Sequence, residues 1–327
     1  MSHQQKFDST FKATLTGIRQ ALFPAESDRI LTQNDRLEGK TCLITGANSG
    51  LGFAIAKQLA DRGANLILAI RNGIPETAQI LQQQTGNQNI EIEFVELADL
   101  GSIDAMIQRL KQKNIHIDIL ISNAGMVSAG SKKAANGLDL MFTVNYLAPV
   151  HLVQQLLQHQ LIKPGHSTTP RLIFVSSESH RVDLPIRLDT LGQAIDYSAA
   201  KVIKYYGYYK LLLNLFIATL DRKISQSGNA AAVFAICPGA VHSNIARQAP
   251  TLLKPFLWLT FKLFFQTPQK ASRPAVYLAC SPEVEGKSLI YLHMMQDKKM
   301  AEIAYDEATG EALWTASQQL IEQLRRH

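Results

Sequence analysis

From residue 40 onward, short apolar runs alternate with helix-length segments along the chain. An unbroken apolar run marks a strand buried on both faces, and its alternation with helices is the pattern of a parallel sheet covered on both sides. The predicted strands are 41–45, Asn65–Ile70, Glu91–Leu97, Ile117–Ile121, Arg171–Val175 and Ala231–Cys237. Between them, one helix continues to Arg62, a second begins near Pro75, and a third ends near Lys113. A long helix runs through Leu138–Leu161, and another carries Tyr206 and Lys210 to about Ile224. Pro75 suits an early helical position because its missing N–H loses nothing there. The glutamine-rich piece 79–89, with Gly86, reads as a helix end and loop. The expected fold class is α/β: a single domain built on a doubly wound parallel sheet, with an N-terminal helical extension.

That extension is residues 1–36, where Phe7, Phe11, Leu15, Ile18 and Leu22 fall on one face of a helix that Pro24 should end. An amphipathic helix docked on the protein's own surface is one reading, and a membrane-surface or partner-binding helix is the other. The domain itself is 37–327. Within it, Leu252–Phe265 is rich in Leu, Phe and Trp258, but it is interrupted by Lys254, Pro255 and Lys262 and is too short to span a bilayer. It is expected to be part of a lid, about 240–270, over an apolar pocket, with membrane-surface contact or a subunit interface in a homo-oligomer as rival readings. A terminal amphipathic helix is expected around Leu313, Trp314, Leu320 and Leu324.

With 46% hydrophobic and 18% charged residues, the chain has a globular composition. Its net charge of +6 is spread without a basic block, which makes a nucleic-acid partner unexpected. Cys42, Cys237 and Cys280 are too few and too scattered for a disulfide framework or a zinc site, so no metal is expected. No segment has the form of a signal peptide or a transmembrane span, and the expected location is the cytoplasm.

The candidate chemistry sits at the carboxyl ends of the predicted strands, where open parallel sheets bind ligands. Gly46, Arg71, Asp99, Asn123, Ser177 and Pro238 all lie at such ends. After the first strand come glycines at 46, 50 and 52, and a chain that leaves a strand, turns without side chains and opens a helix presents free N–H groups and a helix dipole to one point. Such a point binds phosphate. The spacing, Gly-x-x-x-Gly-x-Gly, differs from the Gly-x-Gly-x-x-Gly dinucleotide fingerprint.

Thr45-Gly46-Ala47-Asn48-Ser49-Gly50-Leu51-Gly52, Ser122-Asn123-Ala124-Gly125, Ser177, a Tyr-x-x-x-Lys and Pro238-Gly239, in this order, resemble the short-chain dehydrogenase/reductase family over about residues 38–292. Leu-Ala-Ile-Arg-Asn at 68–72 and Val-Asn-Tyr-Leu-Ala at 144–148 look closest to its retinol-dehydrogenase and WW-domain-oxidoreductase branch. The resemblance implies a Rossmann fold and hydride transfer between a nicotinamide cofactor and an alcohol or carbonyl. It implies Ser177, a Tyr and a Lys as catalytic residues, with Asn145 holding a water in the proton path. Two pairs fit the last motif, Tyr197/Lys201 and Tyr206/Lys210. Small residues fill the first, but Leu-Leu-Leu-Asn-Leu-Phe after Lys210 is similar to the helix that follows the motif in that branch. The distance from Lys210 to Pro238 is also nearer the family's, so Tyr206 and Lys210 are preferred, leaving Tyr197 and Lys201 as a helical pair by the substrate loop.

For the cofactor, the resemblance implies contacts from Gly46, Asn48, Ser49, Gly50, Leu51 and Gly52, from Arg71, from Asp99 and Leu100 beside the adenine, and from Asn123, Ala124 and Gly125 beside the adenosine ribose. Tyr206, Lys210, Pro238, Gly239 and Val241 complete the set. An acid after the second strand binds a ribose 2′-hydroxyl, whereas an arginine accommodates a 2′-phosphate. Arg71 stands there, which favours NADP(H) over NAD(H), unless it merely pairs with a surface carboxylate. The expected substrate is a hydrophobic alcohol, aldehyde or ketone. Tyr208 and Tyr209 depart from the family's usual small residues, and bulk that obstructs the site would instead give a cofactor-binding sensor or scaffold.

The residue types suit the reaction. A phenol is a poor proton donor and acceptor at neutral pH unless its anion is favoured, and a lysine four positions on lies on the same helical face to supply a cation. Ser177 would steady charge on the substrate oxygen. Ser176 is the alternative at that strand end, where serines commonly just cap turns.

Overall fold

In a computed structural model of the chain, the described residues are 29–128, 130–163, 169–198, 201–227, 231–239 and 266–326. The amphipathic segment ending at Pro24, Val241 and the apolar stretch 252–265 lie outside them. Residues 29–36 form no helix, and Leu37 is buried where its N–H meets the carbonyl of Arg62.

The elements in order are β1 (Thr41–Thr45), α1 (Gly50–Asp61), β2 (Asn65–Ile70), α2 (Glu76–Thr85), β3 (Ile90–Phe94), α3 (Leu100–Gln112) and β4 (Ile119–Ser122). Then come α4 (Leu140–Phe142), a π-helical segment (Thr143–Leu147) running straight into α5 (Ala148–Gln158), β5 (Arg171–Val175) and α6 (Val202–Gln226). Last are β6 (Ala232–Cys237), α7 (Pro268–Ala271), α8 (Arg273–Cys280), β7 (Ile290–His293), β8 (Gln296–Asp297) and α9 (Glu307–Arg325). The strands form one sheet in the order β3-β2-β1-β4-β5-β6-β7-β8, parallel except for the β7–β8 pair. The order reverses between β1 and β4, so the crevice at their carboxyl ends is the place this topology offers a ligand.

The doubly wound expectation therefore holds, with adjustments at element ends. Beyond β3, Ser102 Oγ takes the N–H of Glu96 at 2.9 Å and the Glu96 carboxylate takes that of Ala98 at 3.0 Å, so side chains replace the ladder before Leu97. β4 starts two residues late because Ile117 bonds the carbonyl of Leu161, 2.8 Å away, instead of the sheet. β7 has no predicted counterpart, being four residues whose partner strand, β6, precedes it by a long connection. Leu43, Leu120, Phe174 and Leu212 build the core on one side of the sheet, with α3, α5, α6 and α9; Ile44, Ile55, Leu59 and Leu278 build the other, with α1, α2 and α8. All three cysteines are buried and unpaired, Cys280 at the end of α8.

Candidate active site

β1 delivers Thr45 to the crevice, and Gly46 and Gly50 turn the chain with positive φ of 68° and 55°. Gly52 is required by proximity: a Cβ there would lie 2.2 Å from the Gly46 carbonyl oxygen. The helix thus begins directly over the turn. Ser49 sits at the N-cap without a side-chain capping bond, which leaves the first N–H groups of α1 for a ligand. A cradle of this kind, which a side chain would fill, fits the pyrophosphate of a dinucleotide.

Asn123 locks the cradle to β4. Its Nδ2 donates to the carbonyl oxygens of Thr45 (2.9 Å) and Gly46 (3.3 Å), and the N–H groups of Asn123 and Ala124 both donate to Thr45 Oγ1 at 3.0 Å. At the end of β2, Arg71 is exposed and paired with Glu96 at 2.9 Å, the surface-carboxylate partnership that its position also allowed. Asn48 Nδ2 donates to Asn72 Oδ1 beside it. Asp99 caps α3 by accepting the Gly101 N–H at 2.9 Å, and Leu100 is buried behind it. Pro238 and Gly239 follow β6; Gly239 has φ of 76°, with Met294 and Gln266 against it.

The second half of the site is built where α6 meets the ends of β5 and β6. Lys210 Nζ is buried, donates to the Val175 carbonyl at 2.8 Å and lies 5.8 Å from the centre of the Tyr206 ring. Ser176 turns inward, its Oγ donating to Asn214 at 2.7 Å, while Ser177 lies beside Tyr206 and opens a 3-10 turn, Glu178–Arg181. Ser177 Oγ donates to Ser179 Oγ at 3.1 Å and accepts the Ser179 N–H at 3.2 Å.

Asn145, within the π-helical segment, spends its side chain on the β4 loop. It accepts the Met126 N–H at 3.0 Å and donates to the carbonyls of Met126 (2.8 Å) and Met141 (2.9 Å). A Cβ on Gly125 would lie 2.8 Å from Asn145 Oδ1 and 3.7 Å from Lys210 Nζ, so the loop after β4, the π segment and α6 converge.

The competing pair does not assemble. Tyr197 is buried with its hydroxyl donating to Asp139 at 3.1 Å, and Lys201 is exposed at the N-cap of α6. Tyr197 precedes that helix, so the two are not the helical pair expected. The bulk after Tyr206 is also absorbed: Tyr209 packs edge-on against Phe142 at 5.7 Å, and Tyr208 accepts the Arg187 N–H at 3.0 Å. The small residue that matters is Gly207, where a Cβ would stand 2.3 Å from the Ser179 carbonyl oxygen. This contact brings Tyr206 against the Ser177 turn.

The electrostatics differ from the simple expectation of a lysine that lowers a phenol. Burial pushes Tyr206 up to about 12, with the neighbouring Cys237 thiol adding to it and Ser177 drawing it back. Burial brings Lys210 down to about 8. Desolvation leads for both groups, and the ammonium is directed at the Val175 carbonyl.

Sequence inspection missed Glu178 and His180. The Glu178 carboxylate collects Tyr291 OH at 2.7 Å, Arg181 Nε at 3.1 Å and Lys298 Nζ, and these donors outweigh its burial and hold it down to about 2. Buried His180 bonds the Ser177 carbonyl through Nδ1 at 2.6 Å and accepts the Ala301 N–H on Nε2 at 2.9 Å.

A doubly wound sheet with a glycine cradle at its switch point and a Ser, Tyr and Lys gathered at the neighbouring strand ends defines a dinucleotide-dependent oxidoreductase. Comparison with known proteins narrows this. The chain belongs to the short-chain dehydrogenase family, whose model matches residues 40–252, and it is an NAD(P)-dependent oxidoreductase. Retinol dehydrogenase 14 of Mus musculus is 33% identical over 299 residues, covering 87% of this chain and 86% of its own. Polyprenol dehydrogenase of Homo sapiens is 29% identical over 309 residues, covering 92% and 87%. The crystal structure of an uncharacterised protein from Mycobacterium paratuberculosis superposes with a TM-score of 0.68 at 27% identity, covering 89% of this chain and 97% of that one. These relatives put the chain in the retinol-dehydrogenase branch.

Proposed function

We propose that the protein uses NADP(H) to interconvert an alcohol and a carbonyl on a long apolar substrate of isoprenoid type, with Tyr206 as general acid–base. The observation that carries this reading is the meeting of Tyr206, Lys210 and Ser177 beside the cofactor crevice, while Tyr197 is committed to Asp139. Held by the glycine cradle after β1, a bound nicotinamide dinucleotide would supply or accept the hydride. In reduction, Tyr206 Oη would give its proton to the carbonyl oxygen, and Ser177 Oγ would donate a hydrogen bond to that oxygen. In oxidation, the alcohol proton returns to Tyr206. Lys210 holds a positive charge behind the ring, and Asn145 acts as a positioning residue by fastening the Met126 loop to the π segment.

Arg71 supports NADP(H), since a guanidinium at the end of β2 suits a 2′-phosphate and no carboxylate follows on that strand. The substrate class is supported by the relatives, named for retinol and polyprenol. The three unpaired cysteines fit a reducing compartment, and a cytoplasmic location belongs to the same proposal. No helix among the described residues is long and apolar enough to cross a membrane. The test is turnover by the purified full chain with NADPH and a panel of aldehydes that includes retinal. Tyr206→Phe should abolish turnover and leave NADPH binding intact; turnover retained in Tyr206→Phe but lost in Tyr197→Phe would reassign the acid–base.

A further inference from the structure

The turn that carries Ser177 is gripped from two sides. On one side, α6 presses Gly207 against the Ser179 carbonyl. On the other, four groups reach it from residues 291–301. Tyr291 OH and Lys298 Nζ donate to Glu178, the Lys299 carbonyl accepts from Arg181, and the Ala301 N–H donates to His180. His180 passes this hold to Ser177 itself. Its Nδ1–H and its backbone N–H both donate to the Ser177 carbonyl, at 2.6 and 3.0 Å, with the Ala301 N–H on Nε2 selecting that tautomer. The ring is fully buried, edge-on to Tyr291 at 5.6 Å.

Such a network is more than a surface ion pair. Glu178 is half-buried and takes three donors, one of them the hydroxyl of buried Tyr291, so its loss leaves that OH without this acceptor in the core. A fold that needed only to dock its last strand could do so with apolar packing. Here the polar bonds converge on the turn adjoining the reacting hydroxyl.

We infer that Glu178 and His180 are positioning residues through which the segment Tyr291–Ala301, distant in sequence from the Tyr-Lys motif, holds the Ser177 hydroxyl on the reacting oxygen. The inference rests on the role given to Ser177 under the proposed function. Displacing a reacting group by about 1 Å can cost on the order of 100-fold in rate, so partial loosening is expected to cost about tenfold.

The experiment is a double-mutant cycle on the full chain, with NADPH and retinal, reading kcat and, separately, the Kd for NADPH. Glu178→Gln and Lys298→Met are each combined with Ser177→Ala. Lys298→Met leaves the turn's own residues untouched and covers the case in which Glu178→Gln folds poorly. Each single variant is expected to lose about tenfold in kcat at unchanged Kd, with Lys298→Arg restoring most of it, and neither is expected to lose more once Ser177 is Ala. Equal losses in both backgrounds, or no loss in either, overturn the inference. Unchanged turnover in Ser177→Ala alone would instead refute the role of Ser177, and the positioning claim would fall with it.

Discussion

Gly207→Ala puts the assembly of the site to its most direct test. The added Cβ would stand 2.3 Å from the Ser179 carbonyl oxygen and 3.1 Å from its carbon, both backbone atoms. Restoring ordinary contact requires α6 and the Ser177 turn to separate by about 1 Å, and overpacking of this kind costs about 1–3 kcal/mol. Alanine returns roughly 1 kcal/mol of helix propensity, so the net loss of stability is about 0–2 kcal/mol. That corresponds to a fall in Tm of a few degrees at most in a chain of this size. Turnover should suffer far more. Tyr206 precedes Gly207 and Ser177 lies two residues before Ser179, so the separation falls between the two groups proposed to act on one oxygen, and a fall in kcat on the order of 10- to 100-fold is expected. The assay pairs a thermal melt with kcat for NADPH-dependent aldehyde reduction, using Ile203→Ala, exposed on the same helix, as the control. Turnover of Gly207→Ala within about twofold of wild type would refute the reasoning, because no site built on this contact could tolerate that separation.

Arg71→Ala should weaken NADPH binding by about tenfold or more and leave NADH binding unchanged, whereas Glu96→Gln, which frees Arg71, should tighten NADPH alone; equal effects on both cofactors in a titration would exclude a 2′-phosphate contact. With Tyr206 at about 12 and Lys210 at about 8, the site at neutral pH holds a phenol and an ammonium, so aldehyde reduction should proceed near pH 7 and alcohol oxidation should rise with pH. Oxidation that does not rise with pH, or reduction that does, would count against Tyr206. Acid should loosen the Ser177 turn in two windows. His180, at about 4 when folded and 6.5 when free, contributes stability above pH 6.5 that is lost as pH falls towards 4; Glu178, at about 2 against 4.5, contributes stability above pH 4.5 that is lost as pH falls towards 2. Each effect is at most about 3 kcal/mol, read as the difference in urea unfolding between wild type and Glu178→Gln or His180→Phe, and a pH-independent difference would contradict it.

What could be read from the chain divides by the range of the interactions. Strands such as Asn65–Ile70 and Arg171–Val175 carry their own signal, because burial on both faces makes each an unbroken apolar run. The glycine cradle is equally local, with Gly46 and Gly52 close in sequence as well as in space. Gly207 is the small residue inside Tyr-Gly-Tyr-Tyr-Lys, but its meaning lies in the Ser179 carbonyl, which is remote from it in sequence. Tyr197 is different. Nothing near it announces Asp139, the partner to which its hydroxyl is committed. Glu178 and His180 are hidden for the same reason, since Tyr291, Lys298 and Ala301 reach them from the far end of the fold.

The electrostatics carry this one step further. Lysine four positions after tyrosine correctly predicts that the two share a helical face, and Lys210 does lie 5.8 Å from the Tyr206 ring centre. Spacing alone cannot say which of two opposed effects wins. Attraction between ammonium and phenolate would lower the phenol, but burial penalises both charges, and the phenol rises while the ammonium falls. Without further charge, the pair therefore rests at neutral pH as a phenol and an ammonium. A positive charge arriving beside the phenol would favour the phenolate and oppose the ammonium, so the direction of proton movement follows the charge of whatever occupies the crevice. A site that buries Lys210 responds more strongly to its occupant than one that left Lys210 in water, because the same low dielectric that lowers the ammonium also amplifies the field of a bound cation.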